Sequence, residues 1–315
     1  SLRTVGDREI RLMDARDNSV IATLGFDDAL RDAHPGAIYH QQGQTYEVSK
    51  LDLDRDVAEL QPSWADYYTQ ILSEKSVVVN DDLDAKPLPY DPEDGDDDPV
   101  DDEAAADTAD ADDAATDAHS ESAAVTVHLA DVTVTERITG FQRKDRRTGE
   151  VIGEEPLDLP ETTLRTKALY FTVPPALEAE LRAAHSDWEF NGGIHAAEHG
   201  MISLFPFMLL CDRGDIGGLS IPHHPHTDRA TVFIYDGYPG GVGLTDAGFE
   251  IVEELMTRTA RLIADCDCAD GCPACVQSPH CGNGNEPLAK SPAVTLLAAL
   301  SATDADASQP DATDH

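Results

Sequence analysis

Five of the six cysteines in this chain lie within one short segment near its C-terminal end, and this cluster restricts the fold more than any other feature. The five are Cys266, Cys268, Cys272, Cys275 and Cys281. Zn²⁺ prefers a tetrahedral shell of thiolates about 2.3 Å from the metal, and a C-x2-C pair places two sulfurs on one turn. The segment therefore predicts a metal site rather than disulfides, which are rare in a reducing cytoplasm.

Five sulfurs compete for four coordination positions. The predicted ligands are Cys268, Cys272, Cys275 and Cys281. Cys266 is the spare candidate, because a C-x-C pair must chelate through a tighter loop, and His280 is a further one. Four protein ligands leave no position for water or substrate, so the predicted Zn²⁺ is structural and no catalytic residue is assigned to it. A redox role for Cys272-Pro-Ala-Cys275 is the alternative, although no thioredoxin-like βαβ pattern precedes it.

The charge of the chain indicates the salt concentration to which the protein is adapted. Its 61 acidic and 22 basic residues give a net charge of −39. The excess continues through segments that look folded, such as residues 51–56, which favours adaptation to near-molar salt, where the Debye length falls to about 3 Å. No run of 18 apolar residues and no signal-peptide pattern is present, so we expect a halophilic, cytoplasmic protein that does not bind a membrane.

Composition also divides the chain into segments. Residues 1–79 are expected to form a small β-rich module. Residues 80–123 are expected to be an acidic disordered insertion, because too little apolar surface is present to offset the entropy of ordering. Residues 124–303 are expected to form a mixed α/β zinc-binding domain, followed by an acidic disordered tail at 304–315. The predicted fold class is therefore α+β.

Apolar periodicity predicts the main elements of the second domain. Strands are expected at residues 124–138, 164–173 and 230–235. Helices are expected at residues 176–184, 194–210, 245–264 and 292–300. A short strand at 77–79 is expected to close the first module.

A cluster of basic residues stands out because bases are scarce in this chain. The cluster consists of Arg143, Lys144, Arg146 and Arg147. These residues lie at a predicted hairpin tip, where they are candidates for binding the phosphates of nucleic acid or for separating its strands. The alternative is an ordinary solvated turn.

The stretch His195-Ala-Ala-Glu198-His199 matches the H-x-x-E-H pattern of a zinc peptidase family. On a helix the two histidines share one face, and Glu198 is positioned as a base. The alternative is a pair of histidines that pack or hydrogen-bond within the protein, because the pattern is short and no downstream carboxylate stands out as the third ligand. A zinc-dependent hydrolase is therefore the second functional hypothesis.

Four glycines lie between a predicted strand and a predicted helix in the loop 236–243. Such a loop can present backbone N–H groups to a phosphate. It matches neither the P-loop nor the dinucleotide-binding fingerprint, so tight backbone packing is the favoured explanation.

Three stretches together resemble the C-terminal zinc-binding domain of the MrfA/Hrq family of superfamily-two DEAD/DEAH-box DNA helicases. They are His195–His199 continuing to Leu210-Cys-Asp-Arg-Gly-Asp-Ile-Gly-Gly218, Ile234–Leu244 with its Tyr-Pro-Gly-Gly, and Cys266–Lys290 with its Gly-Cys-Pro-Ala-Cys and Ser-Pro-His-Cys. The resemblance covers roughly residues 125–303. It implies a structural zinc, DNA as partner, and a role in ATP-driven 3′-to-5′ unwinding during DNA repair. It also weighs against the hydrolase.

The motor of such a helicase is missing from this sequence. It contains no phosphate-binding lysine loop, no DEAD/DEAH box and no paired ATPase domains. We therefore expect ATP to act only through a motor domain that is fused upstream or is a separate polypeptide. The chain, which opens on Ser1, is expected to be the C-terminal part of a longer helicase, a split subunit or a freestanding relative.

Overall fold

The structure, a computed structural model, describes residues 8–90 and 125–301. These ranges hold two sheets and six α-helices, which confirms the α+β prediction. The strands are β1 Glu9–Asp14, β2 Val20–Gly25, β3 Ile38–Gln41, β4 Gln44–Asp52, β5 Val57–Pro62, β6 Tyr67–Pro87, β7 Thr126–Asp145, β8 Val151–Pro156, β9 Thr162–Thr172, β10 Ile216–His224 and β11 Arg229–Asp236. The helices are α1 Phe26–Asp32, α2 Pro175–Ala184, α3 Asp187–Leu209, α4 Leu244–Glu250, α5 Val252–Ala264 and α6 Lys290–Ser301. Within the described ranges, no helix is long and apolar enough to cross a membrane.

The first sheet has the strand order β2-β1-β5-β4-β3. Its strands alternate apolar and polar residues, so that one face is buried, as with Ile10 and Leu12 of β1. Helix α1 covers that face with Ala29 and Leu30. This small core, which includes one short helix, satisfies the expectation of a β-rich module in this part of the chain.

The second sheet has the order β10-β11-β9-β7-β6, and β8 pairs with the far end of β7. Strands β6 and β7 form one long antiparallel hairpin, paired from Tyr67 with Asp145 to Pro87 with Thr126. Strand β11 is buried along nearly its whole length because both faces of the sheet carry apolar clusters. The helices cover one of these faces.

Helix α3 is the centre of the helical layer. Ser186 and Glu189 form a reciprocal capping box at its N-terminus, which satisfies backbone donors there. The helix is apolar around most of its circumference, as expected for a helix with neighbours on several sides. A Cβ at Gly193 would lie 2.7 Å from the ring of Pro292, so this glycine lets α6 pack directly against the turn that carries His195.

Two boundaries differ from the sequence-based expectation. Strand β6 starts at Tyr67 and belongs to the second sheet, so the first sheet ends at Pro62 and the module does not extend to residue 79. Strand β6 also runs on to Pro87, which places residues 80–87 of the expected acidic insertion in the sheet. The partner strand β7 supplies the reason, since it pairs with β6 along nearly all of that strand. The rest of the insertion, from 91, and the tail at 304–315 lie outside the described residues.

Candidate metal centres and the basic hairpin

The loop after α5 gathers four thiols into one cluster. They are those of Cys266, Cys268, Cys272 and Cys275. Their Sγ atoms lie 3.5 Å apart for residues 266 and 268, 3.6 Å for 266 and 272, 3.5 Å for 268 and 275, and 3.8 Å for 272 and 275. Tetrahedral zinc with sulfurs at about 2.3 Å requires neighbouring sulfurs about 3.8 Å apart. The donor set and its spacing therefore fit a structural zinc ion.

The surroundings of this cluster suit negatively charged sulfurs. The backbone N–H of Cys272 donates to Sγ of Cys275 at 3.3 Å, as N–H groups do around metal-bound thiolates. Lys290, the first residue of α6, donates through Nζ to the carbonyl oxygens of Cys266 and Cys268 and lies 3.6 Å from Sγ of Cys268. Burial raises the pKa of the Cys275 thiol, so a bound cation is what would hold that sulfur as a thiolate.

The structure places the fifth cysteine of the segment elsewhere. Three of the predicted ligands, Cys268, Cys272 and Cys275, come together, but their fourth neighbour is Cys266, whereas Cys281 lies beside two histidines. The chain turns away after Cys275 because Val276 is fully buried and its carbonyl oxygen accepts a hydrogen bond from α3. Cys266 lies only two positions before Cys268, and its thiol reaches the same cluster despite the tight C-x-C spacing.

The two histidines of the H-x-x-E-H stretch form a second group with Cys281. His195 and His199 lie one turn apart on α3, and all three side chains are buried. Nε2 of His195 is 3.5 Å from Sγ of Cys281. Burial raises the pKa of the Cys281 thiol, but hydrogen bonds with both histidines outweigh it and lower this pKa to about 6. No downstream carboxylate stands out in the sequence as the third partner, and the thiol found in that place gives only one signal there, its position outside the C-x2-C unit.

The glycine-rich loop 236–243 closes on its own carboxylate. Oδ2 of Asp236 accepts hydrogen bonds from the backbone N–H of Val242, at 3.1 Å, and from the hydroxyl of Thr245, at 3.3 Å. Gly241 has a φ of +73°, and a Cβ there would lie 2.9 Å from that oxygen. Backbone N–H groups of this loop thus donate to Asp236 and not to a phosphate, in agreement with the packing explanation.

The basic cluster lies at a hairpin tip, as its sequence indicates. Arg146 and Arg147 are exposed in the turn between β7 and β8, and Asp145 fixes that turn by accepting from two backbone N–H groups. Lys144 is half-buried at the end of β7. Arg143 forms an ion pair with Glu155 across the hairpin, so its charge is compensated locally. The tip therefore presents mainly two of the four predicted cations.

The segment between β5 and β6, which contacts this tip, carries an exposed aromatic side chain that no sequence pattern indicated. Trp64 is 92% exposed, in the segment between β5 and β6. Two residues later, the carbonyl oxygen of Asp66 accepts a hydrogen bond from the N–H of Arg146 at 3.2 Å. The backbone that carries Trp64 thus meets the basic turn directly.

Comparison with known proteins gives the family. The model described as the MrfA Zn-binding domain matches residues 197–276. An uncharacterized protein of Methanocaldococcus jannaschii is 39% identical over 110 residues, which are 34% of this chain and 98% of that protein. The chain belongs to the MrfA zinc-binding domain family. The match includes His199 and the four clustered cysteines.

Larger helicases contain regions similar to this MrfA-type chain. The uncharacterized ATP-dependent helicase YprA of Bacillus subtilis is 28% identical over 279 residues, which are 88% of this chain and 32% of the helicase. The ATP-dependent helicase HRQ1 of Saccharomyces cerevisiae is 26% identical over 184 residues, 55% of this chain and 17% of that protein. The chain thus spans about a third of YprA and less of HRQ1.

Solved structures share the fold of this MrfA-type chain. A crystal structure of the DUF1998 helicase MrfA bound to DNA aligns with a TM-score of 0.53 and 25% identity, covering 95% of this chain and 35% of the helicase. A second crystal structure of MrfA aligns with a TM-score of 0.51 and 22% identity, covering 89% of this chain and 34% of that helicase. The similarity extends beyond the zinc-binding domain to the N-terminal sheet.

Proposed function

We propose that this chain is the zinc-stabilised C-terminal accessory part of an ATP-dependent 3′-to-5′ DNA helicase, and that it binds or separates DNA strands during DNA repair. The observation that carries the proposal is the similarity of 95% of the chain to a helicase crystallised with DNA. Two curated relatives are also ATP-dependent helicases. ATP acts through motor domains fused upstream or on a separate polypeptide, in the cytoplasm.

The zinc has a structural role in this proposal. Its ligands are Cys266, Cys268, Cys272 and Cys275, which occupy all four tetrahedral positions. Lys290 joins the loop that holds the ion to the start of α6, because its Nζ donates to the carbonyl oxygens of Cys266 and Cys268. The binding free energy of the ion thereby stabilises the helical layer on which the rest of the domain packs.

The hairpin tip and Trp64 form the proposed contact with DNA. Arg146 and Arg147 supply charge for backbone phosphates, and Trp64 offers an exposed ring on which a base of a single strand can stack. The two contributions differ in their response to salt. Phosphate contacts weaken as salt rises because releasing counterions into a more concentrated salt solution gains less entropy, whereas stacking does not depend on charge. A protein of net charge −39 that works in high salt gains from such an aromatic contact.

The hairpin is tested by fluorescence anisotropy with a labelled single strand over a range of KCl concentrations. Replacing Arg146 and Arg147 by Glu is expected to weaken binding and to reduce the slope of log K against log salt by about 1.4, for two lost phosphate contacts. Trp64→Ala is expected to weaken binding about tenfold at every salt concentration, since stacking contributes about 1–3 kcal/mol per base.

Matched controls keep this test specific. Arg11 and Arg55 are exposed in the N-terminal module, so their double replacement by Glu changes the net charge equally. Trp188 is 63% exposed on α3 and controls for the loss of an indole. If the hairpin variant binds as the wild type does, or if the control variants weaken binding as much, the proposed DNA contact is wrong.

A further inference from the structure

His195, His199 and Cys281 form a group of potential metal ligands that shares no residue with the cysteine cluster. The ligand atoms of the three residues all lie within 4.8 Å of one another. We propose that they bind a second metal ion, a zinc or a divalent metal of similar softness, whose fourth coordination position is open to a cavity. The family and the proposed helicase role do not require this second site.

The orientation of the two imidazole rings is the first argument. Nδ1 of His195 lies 2.7 Å from the carbonyl oxygen of Pro287, and Nδ1 of His199 lies 2.7 Å from that of Val276. A carbonyl oxygen only accepts hydrogen bonds, so each Nδ1 carries the proton. With one proton of each ring on Nδ1, a metal ion binds through the Nε2 lone pair and displaces any second proton that Nε2 shares with the Cys281 thiolate. Metal-binding histidines are held in this way, with the distal N–H donated to a backbone carbonyl or a carboxylate.

The spacing of the donors is the second argument. Zinc with a nitrogen at about 2.0–2.1 Å and a sulfur at about 2.3 Å in a tetrahedron separates these two atoms by about 3.5 Å. Nε2 of His195 and Sγ of Cys281 are 3.5 Å apart. The backbone N–H of Asn285 donates to the same Sγ at 3.2 Å, which stabilises a thiolate. A catalytic pair of thiolate and imidazole would need only one histidine. Here backbone carbonyl oxygens orient two histidines beside the same thiol.

The third argument concerns the open position. All three residues line a cavity of about 1200 Å³, together with Glu198, and the side chains of Arg213 and Tyr235 also reach it. Three protein ligands leave one tetrahedral position, the arrangement of zinc sites that exchange a bound water for another ligand. Among the described residues, Glu198 is not part of the ligand group, although it is buried beside it. The third ligand that the H-x-x-E-H stretch lacked as a carboxylate is thus present as a thiol.

Metal analysis of the full chain tests the proposal. Protein prepared with zinc is expected to contain two metal ions per chain. His195→Ala and Cys281→Ser are each expected to reduce the count to one, and Cys272→Ser is expected to remove the other ion. His280 lines the same cavity outside the ligand group, and Cys211 is a thiol outside both groups, so His280→Ala and Cys211→Ser are the matched controls.

Cobalt spectra keep the result interpretable if a variant folds poorly. In cobalt-loaded wild type, added azide is expected to shift the visible bands of the open site and to leave the charge-transfer bands of the four-thiolate site unchanged. The azide response is expected to vanish in Cys281→Ser, where the four-thiolate bands report that the domain is still folded. A wild type with one metal per chain, or a Cys281 thiol that iodoacetamide alkylates in the metal-saturated protein, would overturn the proposal.

Discussion

At the scale of single residues, the metal ligands depend on where the backbone goes between cysteines that are close in sequence. Cys266 and Cys275 reach the same cluster although nine positions separate them, whereas Cys281 is only six positions from Cys275 and lies apart. Burial of Val276 under α3 makes the difference. Spacing in the sequence limits which thiols can lie close together. Burial of Val276, between Cys275 and Cys281, determines which of them form the cluster.

This placement yields a prediction that separates the two ligand sets. Cys266→Ser is expected to abolish the four-thiolate charge-transfer bands of the cobalt-loaded protein, because three thiolates and a hydroxyl give a weaker and different chromophore. Cys281→Ser is expected to leave those bands intact. The reverse result, with bands lost in Cys281→Ser and kept in Cys266→Ser, would restore the set predicted from spacing. Cys211→Ser is the control for removal of an unrelated thiol.

At the scale of elements, α3 carries both histidines of the second group, and its N-terminal cap contributes to its stability. Oγ of Ser186 accepts from the N–H of Glu189 at 3.3 Å, and the Glu189 carboxylate accepts from the N–H of Ser186 at 2.9 Å. The N–H of Ser186 and its hydroxyl, which donates to Oε2 of Glu189 at 2.8 Å, hold the pKa of Glu189 below its ordinary value. A lowered carboxylate pKa means that the contribution is present at neutral pH and is lost as the pH falls through that pKa.

Ser186→Ala is expected to lower the free energy of unfolding by about 1 kcal/mol at neutral pH, the usual effect of removing a serine N-cap. Guanidinium unfolding at neutral and acidic pH measures this, and the difference between variant and wild type should shrink in acid. Ser291→Ala, at an exposed serine in the first turn of α6, is the matched control and should change stability little. Equal effects at both positions would argue against the capping box.

The sheet elements show where sequence patterns fell short. The strand at 77–79 was predicted from its valines, but β6 continues on both sides through polar and acidic residues, as its burial pattern shows. The helix predicted at 245–264 is two helices, α4 and α5, which meet at Ile251. Strands β8 and β10 were not predicted, since β8 is largely exposed and β10 contains two glycines and a proline. Pairing of β8 with the long strand β7, and of β10 with the buried strand β11, stabilises these segments without an apolar alternation of their own.

At the scale of the whole molecule, the net charge of −39 predicts a fold whose stability depends on salt. The Debye length is about 10 Å at 0.1 M salt and about 3 Å at 1 M, so repulsion between surface carboxylates acts over much of the molecule only in dilute salt. Few cations are available to offset it, and several of those are already paired, as Arg31 is with Glu136.

The melting temperature is therefore expected to rise steeply as KCl is raised from low to near-molar concentration. Circular dichroism during thermal unfolding measures it. A parallel series in sucrose, which strengthens burial by exclusion without screening charge, is the control. A melting temperature that responds to sucrose but not to KCl would contradict the halophilic assignment.

Residue types and short spacings are enough to predict which chemistry is available to this protein. They predict a thiolate cluster suited to zinc, an acidic surface, a basic turn and a helix with two histidines one turn apart. How these features combine depends on the folded structure. Cys281 meets His195 and His199 because the chain after Cys275 folds under α3, and the segment that carries Trp64 meets the basic turn through Asp66 because β6 pairs with the end of β7. Contacts between residues far apart in sequence depend on how whole elements pack, and no local pattern encodes that packing.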